Sequence, residues 1–260
     1  MARDMIIVAS FGTTVDSSRD KAIKVIEDTI AEAFPEMAVR RIFTSNHIRR
    51  ILDSRGIHVD SLTEGLAKAA QEGYDRVYIQ PTLMIPGIEY DLMKEDIAAA
   101  IQRPGEVILG EPLIVSETDI DALTAILADR YQLTNLAADE GVVFMGHGTG
   151  HANDCLYEEI WQKLNALAPG HVGLATVEGH IRAEEVMAFF HEHGVRRVTA
   201  APLMLVAGNH ARKDLAGDEP DAWKGKFQAD GFEITFNLQG LGELQGVRTR
   251  FVQKLQRIFV

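Results

Sequence analysis

Three side chains in the second half of the sequence are of types that bind a divalent metal ion or move a proton. His147 lies in the Gly-His-Gly-Thr-Gly-His segment of residues 146–151, Glu178 lies in a Thr-Val-Glu-Gly-His segment, and His210 ends residues 205–210. Neutral imidazole and carboxylate suit divalent Co, Ni, Zn or Fe. Three protein ligands with an open position are typical of a metal site that does chemistry. The residue types therefore predict a working metal site, provided that the fold brings them together.

Each of these residues alone also has an ordinary structural interpretation. A histidine between glycines is often merely exposed at a strand end, and His210 alone would be a common loop histidine. Glu178 alone would suit a helix N-terminus, where the macrodipole favours acids. The single cysteine, Cys155, is expected to be a small buried residue of a helix rather than a nucleophile.

The elements that must position these residues are predicted from hydrophobic periodicity. Short apolar segments alternate with segments in which apolar residues recur at spacings of three and four, which is typical of helices. Strands are predicted at residues 5–9, 38–43, 77–79, 107–109, 142–145, 172–175, 198–201 and 232–236. Strands this apolar indicate a parallel sheet covered by helices on both faces. The fold class is therefore α/β.

An internal duplication is indicated by matches that recur in the same order. Ser-Phe-Gly-Thr at residues 10–13 matches Gly-His-Gly-Thr at residues 146–149, and His-Ile-Arg occurs at residues 47–49 and 180–182. Further matches follow around the later strands at offsets of 121 and 127 residues. We expect two similar domains, at residues 1–130 and 131–260, with a soft boundary and C-terminal helices that cross back.

The strand ends are where the two repeats differ. Ligands of open parallel sheets bind outside the carboxyl ends of the strands. The first repeat carries an aromatic residue, a serine and a carboxylate there, and the second carries two histidines and a carboxylate. The equivalent pairs are Phe11 with His147, Ser45 with Glu178, and Glu89 with His210.

Composition and charge exclude several classes of protein. The chain has 260 residues, 46% of them hydrophobic, and its 26 Lys plus Arg against 38 Asp plus Glu give a net charge of −12. This is globular composition, and the charge argues against nucleic acid and anionic membrane as partners. A single cysteine cannot form an internal disulfide, the apolar run at residues 5–9 is too short for a signal peptide, and no apolar run is long enough to span a membrane. We therefore expect a cytoplasmic protein.

The segments that carry the three candidate ligands resemble a known family. Gly-His-Gly-Thr at 146–149, Thr-Val-Glu-Gly at 176–179 and Pro-Leu-Met-Leu-Val-Ala-Gly-Asn-His at 202–210 are similar to the anaerobic cobalt chelatases of cobalamin biosynthesis (sirohydrochlorin cobaltochelatases). These are class II chelatases, similar in fold to ferrochelatase. The resemblance runs nearly end to end, through residues 80–90 and 240–243.

The resemblance implies two flavodoxin-like halves around a tetrapyrrole cleft, with metal binding by His147, Glu178 and His210. It implies insertion of Co²⁺ into sirohydrochlorin, with Co²⁺ as the substrate metal and no organic cofactor. His147 is expected to accept a pyrrole proton as the metal transfers, and Glu89 is a candidate second acceptor or metal relay, with an ordinary loop acid as the equal alternative. Substrate contacts are expected from Ser10, Phe11, Arg49, Arg50 and Arg182, although such arginines commonly form ordinary ion pairs.

Alternatives from other classes remain open on the sequence. One is insertion of Ni²⁺ or Fe²⁺ into the same ring, because imidazole and carboxylate do not separate these metals. Another is a carrier that binds ring or metal without turnover. A third is a phosphate-ester enzyme that uses the glycine turn as an anion site. A homo-oligomer is also left open.

Overall fold

The computed structural model describes residues 3–219 and 221–259, and the chain divides into two compact units. The first unit is Met1–Val115 with Gly242–Val260, and the second is Ser116–Leu241. The boundary was expected to be soft, between residues 115 and 140, with C-terminal helices that cross back. Helix α6 (Glu117–Tyr131) belongs to the second unit because it packs on α7 (Cys155–Leu167), and α10 (Gln245–Ile258) belongs to the first because it packs on α2 (Val25–Ala33).

The first unit is a four-stranded parallel sheet flanked by helices. Its strands are β1 (Asp4–Ser10), β2 (Ala38–Phe43), β3 (Arg76–Thr82) and β4 (Glu106–Leu109), in the order β2-β1-β3-β4. Its other helices are α1 (Asp16–Ser18), the π-helical turn Arg19–Lys24, α3 (Asn46–Ser54), α4 (Leu62–Gln71) and α5 (Ile88–Ala99).

The second unit repeats this topology. Its strands are β5 (Glu140–Gly146), β6 (Val172–Thr176), β7 (Arg197–Leu203) and β8 (Glu233–Phe236), in the order β6-β5-β7-β8, and all pairs are parallel. The other helical segments are Leu133–Asn135, Ala152–Asp154, α8 (Ala183–Glu192), the π-helical turn Ala211–Leu215 and α9 (Trp223–Ala229). The predicted α/β fold of two similar parallel sheets is confirmed.

The duplication is visible in the register of the two sheets. Arg76 of β3 pairs in register with Asp4 of β1, and the two side chains form an ion pair at 2.7 Å. Arg197 of β7 pairs in register with Glu140 of β5 and contacts it at 3.1 Å. The same charge pair therefore recurs at the amino ends of the two sheets.

Four helices lie outside the elements that periodicity predicted. These are α3, α5, α6 and α9. Helix α5 buries only Met93, so it lacks the apolar stripe that marks a helix in a sequence, whereas α3 carries Ile48, Ile51 and Leu52 at helical spacing and could have been predicted. Within the described ranges, no helix combines the length and the apolar character that crossing a bilayer requires.

Candidate metal centre

The turn that carries His147 follows β5 and is built around two close approaches of the backbone. A Cβ at Gly146 would lie 2.6 Å from the ring of Tyr157. Gly148 has a φ of +78°, and a Cβ there would lie 2.2 Å from the backbone nitrogen of Gly179. Glycine is needed at both positions because any side chain would collide, and at Gly148 the left-handed conformation also favours it. The glycines on either side of His147 thus fix the turn against its neighbours.

Glu178 follows β6 in a second turn that contacts the first. Its backbone N–H donates to the carbonyl oxygen of His147 at 2.7 Å, and its Oε2 atom lies 3.8 Å from Nδ1 of His147. In the first unit, the N–H of Ser45 donates to the carbonyl oxygen of Phe11 at 3.3 Å. The same backbone hydrogen bond therefore joins the equivalent residues of both repeats.

His210 lies beyond β7, immediately before the π-helical turn Ala211–Leu215. Its ring centroid lies 4.9 Å from that of His147, and the two ring planes are perpendicular. Its Nδ1 atom is 2.5 Å from Oδ2 of Asp214. The second unit thus brings His147 into contact with both Glu178 and His210.

The hydrogen bonds of the two imidazoles determine which nitrogen is available. Nδ1 of His147 lies 3.0 Å from the carbonyl oxygen of Gly148, which can only accept, so Nδ1 carries the proton. Nδ1 of His210 faces the carboxylate of Asp214 and is protonated for the same reason. When each imidazole is neutral, its Nε2 atom carries a lone pair for a metal ion or a proton.

The side chains do not by themselves form a closed metal site. Among residues 3–219 and 221–259, no group of three or more His, Cys, Asp or Glu side chains is arranged to hold a metal ion. The geometry consists of the two pairwise contacts of His147. The ligand roles of His147, Glu178 and His210 remain predictions.

Three further residues near the candidate ligands, Asp154, Tyr157 and Asp214, were not singled out from the sequence. The buried carboxylate of Asp154 forms a 2.5 Å hydrogen bond with Nδ1 of His180, and this bond raises the pKa of His180. Burial raises the pKa of Tyr157 to about 12. Asp214 could have been found, because its spacing of four from His210 is that of neighbours on one helical turn. No comparable sequence signal marks Asp154.

The first-repeat candidates have separate surroundings in the first unit. A cavity of about 270 Å³ is lined there by Phe11, Thr44, Ser45, Asn46, Glu89, Leu92, Met93 and Asp96. Within it, the hydroxyl of Thr44 donates to Oε2 of Glu89 at 2.9 Å.

Ser10 is 2% exposed and hydrogen-bonded to Thr82 at 2.6 Å. Substrate contact by Ser10 stays a prediction, although its hydroxyl is buried and paired, whereas Phe11 is exposed.

The remaining sequence candidates differ in their exposure. Arg49 forms an ion pair with Glu64 at 3.3 Å, which is the ordinary alternative considered for it. Arg50 and Arg182 are exposed, and substrate contact by these arginines stays a prediction. Cys155 lies in a helix as expected, but the expectation that it is buried was wrong: it is exposed, because it is the first residue of α7 and precedes the buried stripe of that helix.

The fold of the two units is that of known chelatases. The solved structure of SirB from Bacillus subtilis with Fe³⁺ has a TM-score of 0.66 to this chain and is 15% identical to it. The similarity covers 98% of this chain and 95% of that one. At this identity, the likeness shows the fold alone.

Sequence similarity places the chain in one family of these proteins. Residues 4–259 match the family described as Cobalt chelatase (CbiK), and the chain belongs to this enzyme family. It is 36% identical over 254 residues to the sirohydrochlorin cobaltochelatase of Salmonella typhimurium, covering 97% of this chain and 95% of that protein. It is 32% identical over 252 residues to sirohydrochlorin cobaltochelatase CbiKC of Nitratidesulfovibrio vulgaris, covering 95% and 87%. The family expected from the sequence is confirmed.

Proposed function

We propose that this chain inserts Co²⁺ into sirohydrochlorin, the metal-insertion step of anaerobic cobalamin biosynthesis. The observation that carries the proposal is the contact between the imidazoles of His147 and His210, both of which present Nε2, in a member of the cobalt chelatase family. Relatives of the chain are named for this reaction.

The reaction requires a site that holds the metal and then releases it. Nε2 of His147, Nε2 of His210 and the carboxylate of Glu178 together offer two neutral nitrogens and one negative oxygen to Co²⁺. The Glu178 side chain is 60% exposed, so it is free to rotate towards a metal ion beside His147. A partly open ligand set suits a metal that must leave for the ring.

Insertion also requires that two pyrrole protons leave the ring for each Co²⁺ that enters. As the bond between Co²⁺ and Nε2 of His147 breaks, the freed lone pair can accept one proton. A histidine is suited to this because its ordinary pKa is about 6.5. Glu89 is the proposed second acceptor, supported by its place beside Phe11 in the cavity of the first unit.

Substrate binding must overcome the net charge of the chain, since sirohydrochlorin carries many carboxylates and the protein is at −12. We assign the carboxylate contacts to arginines, with Arg50 and Arg182 exposed for this role. The exposed ring of Phe11 offers an apolar contact for a face of the macrocycle. We place the reaction in the cytoplasm, as the single cysteine requires no oxidising compartment.

An anaerobic insertion assay tests the proposed function. The purified chain, Co²⁺ and sirohydrochlorin are mixed, and product formation is followed by the change in visible absorbance of the ring. Many turnovers per chain are expected, and His210→Ala should abolish them. His191→Ala is the matched control, because His191 is also half-exposed and also paired with a carboxylate, that of Asp230.

The same assay decides between the proposal and its alternatives. One equivalent of bound ring or metal without turnover would indicate a carrier and contradict the proposal. Faster insertion of Ni²⁺ or Fe²⁺ at equal free metal concentration would contradict the choice of Co²⁺. Glu89→Gln should lower kcat while leaving binding of Co²⁺ unchanged, and an unaltered kcat would remove Glu89 from the proton path.

A further inference from the structure

A buried carboxylate connects the two turns that carry His147 and Glu178. Asp154 ends the short helical segment Ala152–Asp154 and is 7% exposed. Its Oδ1 atom accepts the backbone N–H of Thr149 at 2.9 Å. Its Oδ2 atom accepts the backbone N–H of His180 at 3.0 Å and forms the 2.5 Å hydrogen bond with Nδ1 of the same residue. One side chain thus binds the backbone of both turns.

The packing around this carboxylate leaves no room for another side chain. A Cβ at Gly179 would lie 2.6 Å from both oxygens of Asp154 and 2.5 Å from the hydroxyl oxygen of Thr176. A Cβ at Gly148 would in turn lie 2.2 Å from the nitrogen of Gly179. The turns therefore touch through their backbones, and the carboxylate occupies the space that a side chain at position 179 would need.

We infer that Asp154 is a positioning residue that sets the distance between His147 and Glu178. Thr149 lies two residues after His147, and His180 lies two residues after Glu178, so each hydrogen bond holds the turn close to its ligand. The inference rests on the proposed function, since it assigns Asp154 to the support of the proposed metal ligands. Partners that hydrogen-bond directly to metal ligands commonly affect metal affinity and activity by about 10- to 100-fold, and we expect an effect of this order from Asp154, which holds the backbone two residues from each ligand.

The first repeat supports this assignment by comparison. Thr13 accepts the N–H of Val15 at 3.2 Å, and Thr149 accepts the N–H of His151 at 3.2 Å, so the turn itself recurs. At the position equivalent to Asp154, with the same offset of 136 residues, the first repeat has the buried Ser18. The carboxylate is therefore found in the repeat with the proposed metal ligands, and it is not needed to form the turn.

Two variants of Asp154 test the inference. Asp154→Ala removes all three acceptor contacts, whereas Asp154→Asn keeps the shape and one acceptor oxygen. Affinity for Co²⁺ is titrated without the ring by the visible absorption of the bound ion, and kcat and KM are then measured with sirohydrochlorin. We expect Asp154→Ala to weaken Co²⁺ binding by about 10- to 100-fold and to lower kcat by a similar factor, with Asp154→Asn intermediate and KM for the ring little changed.

Two controls separate positioning from general destabilisation. Ser18→Ala makes the corresponding change in the first repeat and should leave Co²⁺ affinity as in the parent chain. Leu164→Ala removes a fully buried side chain of α7 and should lower the unfolding midpoint while the folded protein keeps its Co²⁺ affinity.

Folded Asp154→Asn with parental affinity and kcat would overturn the inference. So would a loss of affinity in Leu164→Ala equal to that in Asp154→Ala. The Co²⁺ titration needs no turnover. A parent chain that bound Co²⁺ but inserted none would therefore refute the proposed function, while the affinities of the Asp154 variants would still test the positioning role.

Discussion

Asp214→Ala removes the hydrogen-bond acceptor that keeps the proton of His210 on Nδ1 and so leaves Nε2 as the metal-binding atom. A hydrogen bond to a charged group contributes about 1.5–3 kcal/mol. Both side chains of this pair are 42% exposed, so water competes for the bond and we reduce its contribution to about 1 kcal/mol. Because 1.4 kcal/mol corresponds to a factor of ten, the Kd for Co²⁺ should rise by about fivefold.

The assay is a titration of the chain with Co²⁺ in the absence of the ring. Asp214→Asn should restore most of the affinity, because the amide oxygen can accept the Nδ1 proton. Asp218→Asn is the control, as Asp218 is an exposed carboxylate of the same segment that pairs with Lys224 instead. Parental affinity in Asp214→Ala, or an equal loss in the Asp218 variant, would refute the argument from the His210 tautomer.

Three other perturbations have expected outcomes. Gly148→Ala places a Cβ 2.2 Å from a backbone nitrogen at a φ of +78°, and it should lower the free energy of unfolding by at least about 1–2 kcal/mol. Gly150→Ala is the control, because a Cβ there meets nothing within 4 Å. Equal unfolding midpoints for the two variants would contradict the prediction. The hydrogen bond to Asp53 raises the pKa of His58, so its stabilisation is complete below the unfolded pKa of about 6.5 and is lost as the pH rises through the higher folded value. His58→Asn should remove that part of the pH dependence of urea unfolding, and an unchanged dependence would show that the pair contributes nothing. Arg182→Ala should raise KM for sirohydrochlorin more than it lowers kcat, and the reverse result would reject a role in substrate binding.

The strands could be predicted from the sequence because their apolar runs are short and are bounded by polar residues and glycine. The strand predicted at residues 38–43 coincides with Ala38–Phe43, and the one at 142–145 lies within Glu140–Gly146. Helix α5 could not be predicted from periodicity, since only Met93 is buried along it. The sequence indicates only a range for the boundary between the units, because the packing of α6 on α7 depends on contacts made in three dimensions.

Some features of the candidate site could likewise be predicted from the sequence, and others could not. The approach of His147 to His210 follows from strand order, because β5 and β7 are neighbours and both residues follow their carboxyl ends. The contacts of Asp154 depend on how the turns fold back over the sheet, and hydrophobic patterning carries no information about that path. Ser10 is buried as the last residue of β1, where it pairs in register with Thr82 of β3. The tautomers of the histidines likewise required the positions of individual oxygen atoms.

In each half, a backbone-to-backbone hydrogen bond joins two strand-end turns, between Ser45 and Phe11 in one and between Glu178 and His147 in the other. Neither bond depends on what the residue carries beyond its Cα atom. After a gene segment is duplicated, these backbone hydrogen bonds can be kept in both copies while selection changes the reactive side chains in only one. Specialisation of one half would then proceed without rebuilding the loops that present it.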